Sequence, residues 1–82
     1  MQQLRERLNE YHSWPARYTF KFIVPSQETQ TLQKMFPEDE ALVRPSGAGK
    51  YNSVTLRKEM PSADAVITIY EKAAAIPGLL AL

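Results

Sequence analysis

Chemistry in this chain would be sought first in Ser46-Gly47-Ala48-Gly49-Lys50-Tyr51. Two glycines and a lysine in one turn offer convergent backbone N–H groups, an anion nest that Arg44 and Lys50 would complete around a phosphate or carboxylate. A nucleotide P-loop is excluded. It needs a glycine five residues before the Gly-Lys pair, a hydroxyl residue after the lysine and a following helix. Here those places hold Arg44, Tyr51 and a strand. The same glycines serve equally as hairpin residues at positive φ, which is the more frequent use of glycine in turns.

Catalytic groups are harder to assemble. His12 is the single histidine and there is no cysteine, so neither a thiolate nor a paired-histidine metal site can be built. Glu38, Asp39 and Glu40 are consecutive and read as a solvated acidic turn, not as a positioned acid–base pair. Ser46, Ser53 and Ser62 have turn, sheet and cap roles, and none has an evident base to activate it. The expectation is a non-enzymatic protein with no metal and no cofactor.

With 82 residues, the chain has room for one domain and a modest core. Ten Lys and Arg against nine Asp and Glu leave a formal net charge of +1, less basic than nucleic-acid-binding domains usually are. The first ten residues lack the apolar core of a signal peptide. The small-apolar stretch Ala73–Leu82 is broken by Pro77-Gly78 and is too short to span a bilayer. These features lead to the expectation of a soluble cytoplasmic protein without a membrane partner.

The elements that would position these residues follow from periodicity. Leu4, Leu8 and Tyr11 share one face of a short helix over Gln2–His12, an N-terminal element (residues 1–13) ahead of the main domain (14–82). Arg17–Val24 alternates as a strand, with Tyr18, Phe20, Phe22 and Val24 on one face and Arg17, Thr19, Lys21 and Ile23 on the other. Ser26 suits the N-cap of a helix over Gln27–Phe36, with Glu28 near its positive end and Leu32, Met35 and Phe36 as its apolar stripe. Ala41–Pro45 is a short strand, and Lys50–Lys58 a longer one in which Val54 and Leu56 oppose Tyr51, Ser53, Thr55 and Arg57. Ser62 caps a helix with Ala63, Val66, Ile67, Tyr70, Ala73 and Ala74 as a wide apolar stripe. Leu79–Leu82 forms a last strand with apolar groups on both faces.

The order strand, helix, strand, strand, helix, strand is an α+β, ferredoxin-like βαββαβ arrangement. It predicts a four-stranded antiparallel sheet of order 4-1-3-2, with both main helices on one face because crossovers are right-handed. Lys21, Thr19, Ser53, Thr55 and Arg57 then share the opposite face. That face is either simply solvated, as antiparallel sheets allow, or a binding surface. Its apolar residues would be covered by the leading helix or by a second subunit.

Trp14-Pro15-x-x-Tyr18-x-Phe20-Lys21, Pro45-Ser46-x-x-Gly49-Lys50-Tyr51-x-Ser53-Val54, Ile69-Tyr70 and Ile76-x-Gly78 together resemble the small bacterial YbeD-like family of unknown function. The resemblance covers about Trp14 to Leu82, and the Ser-x-x-Gly-Lys-Tyr-x-Ser-Val stretch is its most specific part. It implies a ferredoxin-like fold similar to the ACT regulatory domains, which bind small metabolites, often across a dimer. ACT domains commonly carry a glycine between first strand and first helix. Val24-Pro25-Ser26 occupies that link here, which argues against an amino-acid site of that kind.

The expected function is therefore a regulatory or interaction module. In one form, a small anionic metabolite binds near Lys21, Arg44, Ser46, Gly47, Gly49, Lys50, Tyr51, Ser53 and Arg57. In the other, the open face or a sheet edge docks a protein, its own copy included. RNA binding ranks third, because Ser53 stands where a stacking ring would be wanted.

Overall fold

The computed structural model describes residues 2–82. Met1, the first residue of the N-terminal element expected over 1–13, lies outside the described residues. The elements are α1 (Gln2–Tyr11), β1 (Ala16–Pro25), α2 (Thr29–Lys34), β2 (Ala41–Ser46), β3 (Tyr51–Met60), α3 (Ala63–Ala74) and β4 (Leu80–Ala81), with a 3-10 turn over Ser26–Glu28. The strands form one antiparallel sheet of order β2-β3-β1-β4, which is the ferredoxin-like 4-1-3-2 order read from the other edge.

The alternation in β1 decides where the core lies. Phe20, Phe22 and Val24 are fully buried, and Phe20 and Phe22 pair with Leu56 and Val54 of β3. Leu32 of α2, Phe36 just after it, and Val66, Ile67 and Ala73 of α3 close over these residues. Burial of that apolar surface is what holds so short a chain together, at about 25 cal/mol per Å² removed from water. Tyr18 and Tyr70 share a hydrogen bond of 2.9 Å between their hydroxyls at the margin of this layer. Ser62 caps α3 as its sequence position implies: its Oγ accepts the Ala65 N–H at 3.1 Å.

Several local expectations are corrected. The first crossover helix is a 3-10 turn followed by a six-residue α-helix, shorter than Gln27–Phe36. Ser26 does not cap it. Its N–H donates to the Lys50 carbonyl at 3.0 Å and its Oγ to the Gly49 carbonyl at 2.6 Å. The cause is register: β1 continues through Pro25, paired opposite Tyr51, and carries Ser26 up against the β2–β3 turn. In α3, Ala74 is exposed and Tyr70 half-buried, so the buried stripe is narrower than the periodicity suggests.

The leading helix also sits elsewhere than its apolar stripe suggested. Leu8 is buried in the common core and Leu4 packs at its border, but Tyr11 is 79% exposed. α1 lies against α3, tied by the Arg5 Nε–Asp64 Oδ1 pair at 2.6 Å. It therefore joins the helical side and leaves the opposite face of the sheet uncovered.

Candidate functional site

The register assigns the open face residue by residue. Arg17 stands opposite Glu59, Thr19 opposite Arg57, Lys21 opposite Thr55, Ile23 opposite Ser53, and Pro25 opposite Tyr51. On the β2 side, Leu42, Arg44 and Ser46 extend the rows of Thr55, Ser53 and Tyr51. On the β4 side, Leu80 pairs with Ile23, and the Leu82 N–H donates to the Lys21 carbonyl at 2.9 Å. Side chains of alternate residues on a strand recur about every 6.8 Å. Arg17, Arg57, Lys21 and Arg44 thus occupy four successive rows and zigzag along the sheet over roughly 20 Å.

All four are exposed. Among the described residues, the ion pairs are Arg5–Asp64 and Lys58–Asp39, so none of the four is held by a carboxylate. Glu59 is the single acid in the rows they occupy. The face is formally +3 while the chain is +1, which leaves the remainder of the molecule acidic. Large apolar groups accompany the cations: Leu42 is 55% exposed, Tyr51 41%, Leu80 61% and Leu82 67%.

Of the residues singled out from sequence, Lys21, Arg44, Tyr51, Ser53 and Arg57 come together here, with Ser46 at the β2 edge. Gly47, Gly49 and Lys50 lie in the hairpin turn at one end. Gly47, Ala48 and Gly49 all take positive φ, at 59°, 58° and 85°. The Gly49 N–H donates to the Ser46 carbonyl and the Lys50 N–H to the Gly47 carbonyl, both at 3.2 Å. Two of the donors that an anion nest would use are spent inside the turn, and the Ser26 hydroxyl clasps it from outside. Asn52 Nδ2, donating to Thr29 Oγ1 at 2.8 Å, reinforces that clasp.

Sequence reasoning missed Arg17, Ile23, Leu42, Leu80 and Leu82 as members of the site. Parity already put Arg17 and Ile23 on the Lys21 side. Leu42 and Leu80 needed the pairing of the edge strands, which no local pattern carries.

The larger depressions are open to solvent: one of ≈ 670 Å³ at the Arg17–Arg57 end, one of ≈ 400 Å³ along α2, and one of ≈ 420 Å³ beside Pro25, Lys50 and Tyr51. A cleft of ≈ 190 Å³ between α2 and β2 is lined by Leu32, Phe36, Ala41, Val54 and Leu56 among others. It is smaller than the pockets of about 300–1,000 Å³ that hold drug-sized ligands, and none of the expected site residues lines it. The open depression at the Arg17–Arg57 end also carries Glu38, Asp39 and Glu40, whose charge opposes a small anion there. Among the described residues, no group of His, Cys, Asp and Glu is placed to hold a metal ion. Nor is any described helix long and apolar enough to cross a membrane.

Residues 9–82 match a family model described as a protein of unknown function (DUF493). The chain belongs to this family. The DUF493 match spans the whole sheet and both crossover helices and omits most of α1. Similar curated relatives are UPF0250 proteins of Shewanella oneidensis (32% identical), Shewanella putrefaciens (31%) and Shewanella baltica (30%), each over 93% of this chain and 94% of the relative. No solved structure matches the chain. For a DUF493 protein the family thus corroborates the YbeD-like resemblance and assigns no activity, and the reading of function rests on the surface itself.

One feature of the family resemblance gains a physical reason. Gly78, from Ile76-x-Gly78, has φ +76° and lies against Pro25: a Cβ there would come within 2.7 Å of Pro25 Cγ. The Pro25 ring at the end of β1 thus packs directly on Gly78.

Proposed function

We propose that this protein is a non-catalytic interaction module whose open sheet face docks another protein. The observation that supports it is the coincidence, on one face, of four unpaired cations with Leu42, Tyr51, Leu80 and Leu82. Large exposed apolar residues at both edges of a face, mixed with arginine, are the composition of docking surfaces. A small anionic metabolite fits less well: the cations are spread over rows about 6.8 Å apart instead of converging on a point. RNA fits less well too. The stacking positions of the central strands hold Thr19, Lys21, Ser53 and Thr55, and Phe20 and Phe22 are buried on the other side. Sheet-edge pairing is disfavoured because β2 contains Pro45 and β4 is two residues long.

Site-directed photo-crosslinking tests this reading. A photoreactive side chain at Thr55 is expected to capture one defined protein in the source cells, and one at Gln30 on the helical side is not. The Thr55 crosslink disappears in a Lys21→Glu/Arg57→Glu background. Equal capture from both positions, or a metabolite that raises the melting temperature of the wild type and not of the charge-reversed variant, would overturn it.

A further inference from the structure

We infer that the occupant of the open face is an acidic amphipathic helix from a different protein, an inference that rests on the docking reading above. Charge decides against a second copy. A two-fold axis through this face would stack two surfaces of like charge, each bringing Arg17, Lys21, Arg44 and Arg57 with Glu59 as the sole acid in their rows. A complementary partner must therefore bring carboxylates to these rows and keep them clear of the acidic Glu38–Glu40 turn that borders the Arg17–Arg57 end.

Geometry decides the form in which they come. The four cations advance one row at a time along the strand direction, about 6.8 Å per row. Residues i and i+4 of a helix lie about 6 Å apart along its axis, so a row of Glu or Asp at that spacing keeps step with them over about three turns. A helix about 10 Å across covers the two central strands, which are about 4.8 Å apart. Its apolar flanks then meet Leu42 on one edge, and Ile23, Leu80 and Leu82 on the other. Between the cations lie Thr19, Ser53 and Thr55, short side chains that let a helix approach the sheet. Nucleic acid would use the same cations and leave the leucines idle.

The experiment uses the full chain and a synthetic helical peptide of about 18 residues, carrying Glu at i, i+4 spacing with Leu on the flanking positions. Amide shifts of the labelled protein are followed by NMR at low and physiological salt. Four controls are a scrambled peptide of equal composition, a Lys-for-Glu peptide, an oligothymidylate, and the protein alone in sedimentation. The expected result is shifts confined to the open-face residues of the four strands, Lys21, Leu42, Arg44, Thr55, Arg57 and Leu80 among them. Binding should be at least about tenfold weaker for the scrambled peptide, for Lys21→Glu/Arg57→Glu and for Leu42→Ser/Leu80→Ser, each equivalent to a loss of about 1.4 kcal/mol. The affinity should fall as salt rises. Circular dichroism establishes that both variants are folded.

The inference is overturned if the scrambled or Lys-for-Glu peptide binds as well, if the oligothymidylate shifts the same residues more strongly, or if the protein self-associates through this face. It is also overturned if the peptide leaves the face unshifted. In that last case the Thr55 crosslink separates the two failures: a captured protein keeps docking and rejects the helix, and no capture rejects both.

Discussion

Ala48 holds φ at 58° in the β2–β3 turn, a conformation that costs a non-glycine residue about 1–2 kcal/mol. Ala48→Gly is expected to raise stability by up to about 1 kcal/mol, after the greater chain entropy that glycine loses on folding is deducted. Urea titration of the variant measures this. Gly78→Ala should act in the opposite direction, because it adds both positive-φ strain and a clash with Pro25. Tyr70 offers a test by pH. Burial, aided by the hydrogen bond and charge of Tyr18, pushes its phenol well above the usual value of about 10. The folded state thus keeps Tyr70 neutral where the unfolded chain would ionise it. Its contribution is fully present below pH ~10 and is lost as pH rises above that value. The urea midpoint should fall at alkaline pH, and fall less in Tyr70→Phe.

At the scale of elements, α3 and α1 separate local rules from tertiary ones. Removing the α3 cap in Ser62→Ala should cost about 1 kcal/mol, read from the thermal midpoint. Leu8→Ala should cost about 2 kcal/mol or slightly more, since Leu8 is the buried residue of a helix that packs mainly on α3. Trp14 reports the loosening of α1 by its emission, because its Nε1 donates to Asn9 Oδ1 at 2.8 Å. In β1 the alternation of Tyr18 to Val24 was enough, and the Ser62 cap needed only its own helix; both survive in the structure. Wherever a residue answers to a distant partner, local pattern misled. Ser26 looks like a cap and is taken up by the Gly49 carbonyl across the turn. Tyr11 follows the spacing of Leu4 and Leu8, yet at the last residue of α1 it points into solvent. Arg17, Lys21 and Arg57 were legible from strand parity, whereas Arg44 needed the β2–β3 pairing. The apolar edges of the candidate site were not legible, because Leu42 and Leu80 reach the face only through β2–β3 and β1–β4 pairing.

Across the whole molecule, charge is sorted by side. The open face is basic, and the acidic residues Glu6, Glu10, Glu28, Glu38, Glu40, Asp64 and Glu71 lie on the helices and loops. Since Lys21 and Arg57 are exposed and enter no ion pair, Lys21→Glu/Arg57→Glu should leave stability within about 0.5 kcal/mol of the wild type. Equilibrium unfolding checks this, and the outcome makes the pair a clean probe of association. The placement of α1 on the helical side has a practical corollary. A surface, a dye or a fused reporter attached through Gln2 or Gln3 would sit behind the sheet. Immobilised that way, the protein presents its basic plane outward to whatever is flowed past it, whereas coupling at Leu82 would hide that plane against the support.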